Sequence, residues 1–407
     1  MDVIIFGASG YAGKHTVREA VNVLKNLRWG VAGRCRVILL LCILRKLQAV
    51  LDEIGTKTKI DPEGIPIIVA QINDNRSLAA MAQQCRIVVN CCGPYGLYGE
   101  AVVKACIEAG THYVDINTEP EYMKMIQLKY DAQAKENSVY VVSACGFPSM
   151  AVDVGVNFIR NNFKASAAVW ASLVLALSKN KEIPAIRNSL FKKLWSDLSP
   201  KPNESFRAPT FHQSAVVRGV CVPFPLIAPQ VVASSQYHFN KQYNIRPIQF
   251  RNYLTFPSVI FASIFLVWCF LITFLAQFRC TKDFLIRHPA FFSFGLCSPS
   301  GPSEEKMEKL FFRITFAAVG WSKLENQDNT ILEPEDKALV AKVSGLNPLY
   351  GAACVALLTS AVTILREKHK MPGSGGVLTP GAAFARTNII SELENEEHGM
   401  VFDITQE

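Results

Sequence analysis

The chain has 407 residues, 50% of them apolar and 19% charged, and its 42 basic and 34 acidic side chains leave a net charge of +8. That length allows two or three domains and a large core. Its 12 cysteines form no C-x-x-C pair, and they and the 7 histidines are dispersed, which speaks against a disulfide scaffold and a metal enzyme and for reduced cytosolic thiols.

Met1-Asp2 leads straight into an apolar run, without a basic and apolar leader, so no secretory signal is expected. The run Val3-Ile4-Ile5-Phe6 reads as a buried strand and residues 14–24 as a helix. Between them lies Gly7-Ala8-Ser9-Gly10-Tyr11-Ala12-Gly13, a G-x-x-G-x-x-G turn. Strand, glycine turn and helix start together make a phosphate site: glycines allow close backbone approach and free N–H groups face the anion. Gly7, Ala8, Ser9, Gly10, Tyr11 and Gly13 are the candidate contacts. A tight turn needing glycine for steric reasons alone is the plainer reading.

The second strand, 29–32, is followed by Gly33-Arg34. An acidic residue there would hold the ribose 2′-OH of NAD; a guanidinium suits the 2′-phosphate of NADP through forked, charge-assisted bonds. The alternative is a solvated arginine. A helix is expected over 45–54, a strand over 65–69, a helix over 77–83 with Ser77 as N-cap, and a strand over 87–91. That strand runs into Asn90-Cys91-Cys92-Gly93-Pro94-Tyr95. At the switch point of an open sheet, Asn90, Cys92, Gly93 and Pro94 would lie near the nicotinamide, or Gly93-Pro94 is a structural turn. Cys91-Cys92 reads as core packing plus one loop thiol. A helix over 99–109 ending at Gly110, a strand over 113–115, a capping box at Thr118-Glu119-Pro120-Glu121 opening a helix to about 137, and a strand over 139–142 complete the series. This alternation predicts an α/β fold with a doubly wound parallel sheet. Tyr95, Tyr98, Asp115 and Glu119 lie near strand ends facing the cleft; they are weak catalytic candidates, and each also reads as structural.

Residues 155–252 carry 13 basic and 3 acidic side chains, and so the whole positive excess. Residues 252–278 contain no Asp, Glu, Lys, Arg or His. As one helix they would reach roughly 40 Å, enough for a bilayer core. Basic residues flank both ends (Arg246 and Arg251; Arg279, Lys282 and Arg287), so charge gives no orientation, and a monotopic or re-entrant anchor fits better than a span. The basic middle would face anionic headgroups; nucleic acid is not an expected partner, since no recognised module accompanies the charge. Residues 304–309 read as a solvated helix face and 349–365 as a buried helix. Val377-Leu378-Thr379-Pro380-Gly381 opens a last helix, with Thr379 either a ligand contact or part of a link.

The segments FGASGYAG (6–13), VAGR (31–34), VVNCCGPYGLYGE (88–100), KACIEAGTHYVDINTEP (104–120), QLKYDAQAKENSVYVVSACGF (127–147), FFSFG (291–295) and GGVLTPGAAFARTNII (375–390) resemble the saccharopine dehydrogenase family, in particular its branch associated with membranes and lipid droplets. The resemblance implies a Rossmann-type NADP(H) domain, a second smaller α/β domain inserted before a C-terminal return, and a hydrophobic membrane-associating helix. It implies the organisation 1–155 (cofactor), 156–251 (basic part of the second domain), 252–278 (membrane segment) and 279–407 (return to the cofactor domain). It also places Gln71, where the branch carries Asp, against the adenine. Three departures stand out. Cys35-Arg36-Val37-Ile38-Leu39-Leu40-Leu41-Cys42-Ile43-Leu44 adds about eight apolar residues, either an additional buried strand or a gene-model artefact. Pro148 replaces an Asp in Gly146-Phe147-Pro148-Ser149-Met150-Ala151-Val152-Asp153-Val154-Gly155, and 179–229 lacks the branch's Gly/Thr-rich segment.

The functional expectation is an NADP(H)-dependent oxidoreductase acting on a lipid-like carbonyl or imine at a cytosolic lipid-droplet or endomembrane surface, with a homodimer as a compatible assembly. The alternative is a catalytically inactive NADP-binding scaffold anchored to lipid.

Overall fold

A computed structural model of the chain describes residues 1–34, 40–58, 61, 64–162, 167–169, 211–214, 216–224, 228–245, 247–248, 250–278, 281, 284–285, 288–292, 304–320 and 337–406. All of 179–210, the first half of the apolar insertion at 35–39, the flanking Arg246, Arg279, Lys282 and Arg287, and 293–295 lie outside the described residues.

The first third alternates as β1 (Val3–Phe6), α1 (Tyr11–Val23), β2 (Trp29–Arg34), α2 (Leu40–Thr58), β3 (Ile67–Ala70), α3 (Asn75–Ala82), β4 (Ile87–Asn90), α4 (Tyr95–Ala109), β5 (His112–Asp115), α5 (Pro120–Glu136), β6 (Tyr140–Val142) and α6 (Ser149–Asn162). Strands buried on both faces, such as the fully buried Val3–Phe6 and Ile87–Asn90, belong to a parallel sheet covered by helices. Helix α1 shows the complementary pattern: Gly13, Thr16, Val17, Ala20 and Val21 line its buried face at helical spacing. Helix α4 ends at Gly110, whose φ of 72° lets Thr111 N–H reach Cys106 O.

The chain continues through β7 (Ala167–Val169), β8 (His212–Gln213), β9 (Val220–Pro223), α7 (Ala228–Tyr243), β10 (Tyr253–Phe256), α8 (Val259–Leu275), α9 (Pro289–Phe292), α10 (Glu304–Glu308), β11 (Phe311–Gly320), β12 (Lys337–Leu346), α11 (Ala353–Glu367), β13 (Gly376–Leu378), α12 (Pro380–Phe384), α13 (Ile389–Glu394) and β14 (Val401–Gln406). Seven strands make the main sheet in the order β13-β6-β5-β4-β1-β2-β3, all pairs parallel. Strands 3-2-1-4-5-6 of this order are the Rossmann arrangement, with its switch point between β1 and β4. The seventh strand comes from the far end of the chain: Gly376 pairs with Tyr140, and Asp131 accepts Val377 N–H at 3.0 Å. A four-stranded antiparallel sheet, β14-β12-β11-β7, packs on α6, where Gly155 makes room for Phe316. Strands β10-β9-β8 form a third, small sheet beside α8.

Several local expectations are corrected. The N-cap of α3 is Asp74, which accepts Arg76 N–H at 3.0 Å; Ser77 instead exchanges bonds with Gln71. No capping box forms at 118–121: Glu119 is the N-cap residue and its carboxylate is used elsewhere. Helix α4 starts at Tyr95 rather than 99, so Tyr95 and Tyr98 stand on its first turn. The second half of the insertion is no strand: residues 40–44 are the first turns of α2, and buried Ile43 packs onto Gly33.

The uncharged stretch 252–278 is also not one helix. Tyr253–Phe256 pairs with β9, and only Val259–Leu275 is helical, 17 residues long. Most of its large apolar side chains are exposed, Ile260 at 71%, Val267 at 67% and Phe270 at 73%, and Phe265, Trp268, Ile272 and Leu275 are half-buried; Ala262 alone is buried. Among the described residues the helical stretch long and apolar enough to cross a membrane is Pro348–Lys370, and 83% of its apolar window is buried inside the protein. It is a core helix, packed on α1, β4 and β5.

Candidate functional site

The switch point is built from the turn after β1 and the loop after β4. Gly7 takes a φ of +88°, and a Cβ there would sit 3.0 Å from the backbone of Cys91 and Cys92. Gly7 and Ala8 both donate to Ala32 O, which ties the turn to β2. Gly13 is pressed against the carbonyl of Gly7, so its lack of a side chain brings α1 down onto the turn. Gly10 is exposed and begins α1 with no side-chain cap, and Ser9 and Tyr11 are half-buried beside it. An uncapped helix N-terminus behind a glycine turn is the geometry that receives a pyrophosphate.

Arg34 ends β2 in register with Ala70, so Gln71 stands one residue further on the neighbouring strand. The Arg34 guanidinium is exposed and lies 4.8 Å over the ring of Tyr98. The aromatic face holds the guanidinium by a cation–π contact without using its N–H donors. These donors fit a phosphate ester at the mouth of the site. Gln71 is half-buried, and its backbone is fixed by Ser77.

The β4 loop is held from below by a buried polar network. Asn90 accepts Cys92 N–H at 2.9 Å and donates to Tyr113 Oη at 2.9 Å, and Tyr113 donates to Asp115 at 3.0 Å. Tyr95 donates its hydroxyl to Asn90 O. Asp115 also accepts from Asn117 N–H, Ala144 N–H and Ser143 Oγ. Burial raises its carboxyl to about 6, and these bonds pull it back only in part. Glu119 accepts Tyr95 N–H at 2.7 Å and Gly96 N–H at 2.9 Å, capping α4 across 24 and 23 residues. Gly93 and Pro94 lie between these anchors, half-buried and exposed. Burial pushes the Cys91 thiol up to about 12 and Cys92 upward as well, so neither is an activated nucleophile.

The geometry thus brings together Gly7, Ala8, Ser9, Gly10, Tyr11, Gly13, Asn90, Cys92, Gly93 and Pro94 at one end of the sheet, with Arg34 and Gln71 at its β2–β3 side. It does not bring in Thr379, which is buried, 2.5 Å from Ser235 Oγ, in a cluster with Asp153. Two residues with no signal in the sequence also meet the turn. Tyr350 lies 4.8 Å from Tyr11 and 5.0 Å from His15, ring to ring, and Met307 accepts from Tyr11 Oη. Tyr11 and Met307 are 296 residues apart and Tyr350 lies further on still, so only the return of the C-terminal third discloses them.

Comparison with known proteins gives four findings. Residues 3–142 match the saccharopine dehydrogenase NADP-binding domain. The chain is 32% identical over 433 residues to a lipid droplet localized protein of Caenorhabditis elegans, covering 100% of this chain and 98% of the relative. It is 30% identical over 438 residues to the human saccharopine dehydrogenase-like oxidoreductase, covering 99% and 96%. In fold it is similar to apo saccharopine dehydrogenase (L-Glu forming) of Saccharomyces cerevisiae, with a TM-score of 0.50 at 14% identity and 99% coverage of both chains. The cofactor of the first domain is NADP(H).

Proposed function

The chain belongs to the saccharopine dehydrogenase family, and we propose that it is an NADP(H)-dependent oxidoreductase acting on a lipid-like carbonyl or imine at a lipid-droplet or endomembrane surface. The observation that carries this reading is the pairing of a Rossmann turn and Arg34 with an apolar helix, α8, that the protein leaves uncovered. NADP(H) supplies hydride transfer when bound. The chain's part is to hold it: the turn at 7–13 receives the pyrophosphate, Arg34 the 2′-phosphate, Gln71 the adenine, and Asn90, Cys92, Gly93 and Pro94 line the nicotinamide end. Residues 1–155 serve the cofactor, 252–278 the lipid, and 279–407 close over the glycine turn through Tyr350 and Met307.

The lipid contact is monotopic in this reading. At about 1.5 Å per residue, α8 is roughly 26 Å long, short of a bilayer core. Trp268, midway along it, donates Nε1–H to Phe292 O, so the chain has turned back to the level of the helix centre by that point. Nine large apolar side chains between Val259 and Phe274 are exposed. The worm relative's name, a lipid droplet localized protein, supports this surface as the partner.

Titration calorimetry tests the cofactor assignment. NADPH should bind more tightly than NADH, and Arg34→Ala should lower NADPH affinity about tenfold or more while leaving NADH nearly unchanged, since one or two charge-assisted bonds of about 1.5–3 kcal/mol are lost. Equal affinities in the wild type would overturn it. The second reading, an inactive NADP-binding scaffold, is favoured by one observation: Pro148 stands where the family resemblance puts an Asp, and the nearby Asp115 and Glu119 carboxylates are fully engaged. Oxidation of NADPH on addition of carbonyl lipids separates the two.

A further inference from the structure

A second polar site lies at the opposite end of the main sheet from the cofactor turn. Helix α6 leaves the carboxyl end of β6 and runs back, so its last turn, with Arg160, reaches the amino ends of the strands. There Tyr140, the first residue of β6, donates its hydroxyl to Gly373 O at 2.8 Å and fixes the loop before β13. Between α6, α7, this loop and the end of α12 is a cavity of about 130 Å³, lined by Arg160, Lys370 and Arg386 and walled by Phe239, Tyr243 and Pro372.

Three cations face one small cavity, and their partners decide what charge is left. Lys370 is 3.0 Å from Glu367, which also accepts both N–H groups of Asn388. Neither Arg160 nor Arg386 has an ion pair among the described residues. Arg160 stacks on Phe239, 3.8 Å from its guanidinium carbon, and Arg386 on Tyr243 at 4.5 Å. Stacking fixes each guanidinium plane and leaves its edge of donors free. The Nη1 of Arg160 is buried with no hydrogen-bond partner, a state costly for a charged donor unless a ligand completes it. Asp153, on the same helix, spends one oxygen on Ser235 and Gly381 N–H and makes no bond to Arg160.

Two unpaired guanidinium groups with aromatic backs, beside a neutralised Lys–Glu pair, match a dianion with several acceptor oxygens. We propose that the cavity bounded by Arg160, Arg386, Phe239 and Tyr243 is a binding site for a phosphate monoester, separate from the cofactor's phosphates. Its volume takes the phosphate group, and the exposed Arg386 side leaves the ester substituent outside.

The test uses the full chain. Inorganic phosphate and glycerol 3-phosphate are titrated by calorimetry to probe a soluble ester. Flotation with phosphatidylcholine vesicles, with and without phosphatidic acid, probes the same group carried on a lipid. In at least one arm, phosphate-dependent binding should fall about tenfold in Arg386→Gln, fall less in Arg386→Lys, and survive Arg34→Ala. Arg386 is exposed, so its variants keep the fold; Arg160→Lys, checked by thermal unfolding, should show the same loss. Binding absent in both arms, binding indifferent to Arg386, or binding lost only in Arg34→Ala overturns the proposal. Loss confined to the vesicle arm assigns the ester to a lipid headgroup, and loss with glycerol 3-phosphate assigns it to a soluble ligand.

Discussion

Replacing the three glycines of the turn one at a time by alanine should give three different outcomes, graded by what the new methyl meets. At Gly13 a Cβ would lie 2.1 Å from Gly7 O, 2.7 Å from Gly7 C and 2.8 Å from Ala8 Cα, all backbone atoms of the turn itself. No side chain can move aside, so α1 must lift away. Overpacking costs about 1–3 kcal/mol, and a backbone clash of this depth belongs at or beyond the upper end. At Gly7 the methyl meets Cys91 C and Cys92 N at 3.0 Å, and the φ of +88° adds about 1–2 kcal/mol for a residue with a Cβ. At Gly10 the backbone is ordinary, φ −76°, and the one contact is Gly7 O at 3.2 Å. Alanine there costs at most about 1 kcal/mol as a poorer N-cap. At roughly 2–4 °C per kcal/mol for units of 150–250 residues, Gly13→Ala should lower the midpoint by about 6 °C or more, Gly7→Ala by somewhat less, and Gly10→Ala by a few degrees at most. Gly10 is the exposed member, so its methyl should still weaken NADPH binding, about tenfold, by holding the phosphates off the helix N-terminus. Thermal unfolding and NADPH titration of the three variants check this. A Gly13→Ala protein with wild-type midpoint and affinity would refute the packing argument, and a Gly10→Ala protein with wild-type affinity would refute the phosphate argument.

Other consequences are open to measurement. Burial raises the Asp153 carboxyl from its ordinary 3.8 to about 7, and its Oδ1 has no partner. A folded-state pKa above the unfolded one means that the folded protein binds the extra proton, so this contribution to stability is complete below pH 3.8 and is lost as pH rises through about 7. The slope is on the order of 1.4 kcal/mol per pH unit within that window, and Asp153→Asn should flatten it in a plot of unfolding midpoint against pH; an unchanged slope would dismiss Asp153 as the source. Ile264→Glu with Val267→Glu, both on exposed positions of α8, should abolish flotation with lipid droplets while leaving the unfolding midpoint within about 2 °C of wild type. Retained flotation would place the lipid contact elsewhere. Ile43→Ala should cost about 2–4 kcal/mol in denaturant unfolding, because Ile43 is buried between β2 and α2; a neutral result would mean that the apolar insertion is not packed into the core.

The first third was legible because its pieces are local. Apolar runs buried on both faces, helices with one apolar stripe, and glycine at the turn each follow from a few neighbouring residues, and together they dictate the parallel order. What the sequence concealed was decided across the chain. Ser77 looked like an N-cap, yet Asp74, three residues earlier, reaches Arg76 N–H and leaves Ser77 to tie the end of β3. Glu119 looked like part of a capping box for its own helix but caps α4 instead, a partnership set by β4 and β5 being adjacent. The uncharged stretch at 252–278 hid a break because hydropathy does not register pairing: Tyr253–Phe256 finds β9 thirty residues upstream, and Pro257-Ser258 then starts α8 afresh. The half of the insertion at 40–44 is helical because a face containing Ile43 and Leu47 can close on Gly33, which a run of apolar letters does not reveal.

The four catalytic candidates can be sorted by what their polar atoms already do. A group that must give or take a proton in a reaction needs an atom not committed to the fold. Asp115 spends both oxygens on four partners, Tyr113 of β5, Asn117 of the loop after it, and Ser143 and Ala144 of the loop after β6, where Ala144 has a φ of 64°. Glu119 spends both on the start of α4, and Tyr95 donates its hydroxyl to Asn90 O. These three determine where the β4 loop sits, and so where a nicotinamide could lie against it. Tyr98 differs: its ring is half-buried beneath Arg34, and its hydroxyl has no hydrogen-bond partner among the described residues. Its ring lies beside Arg34, the proposed 2′-phosphate contact, one helical turn beyond the Gly93-Pro94 loop proposed to line the nicotinamide. Tyr98 therefore fits cofactor selection better than proton transfer, and the C-terminal third adds Tyr350 over the glycine turn, 5.0 Å ring to ring from His15 of α1.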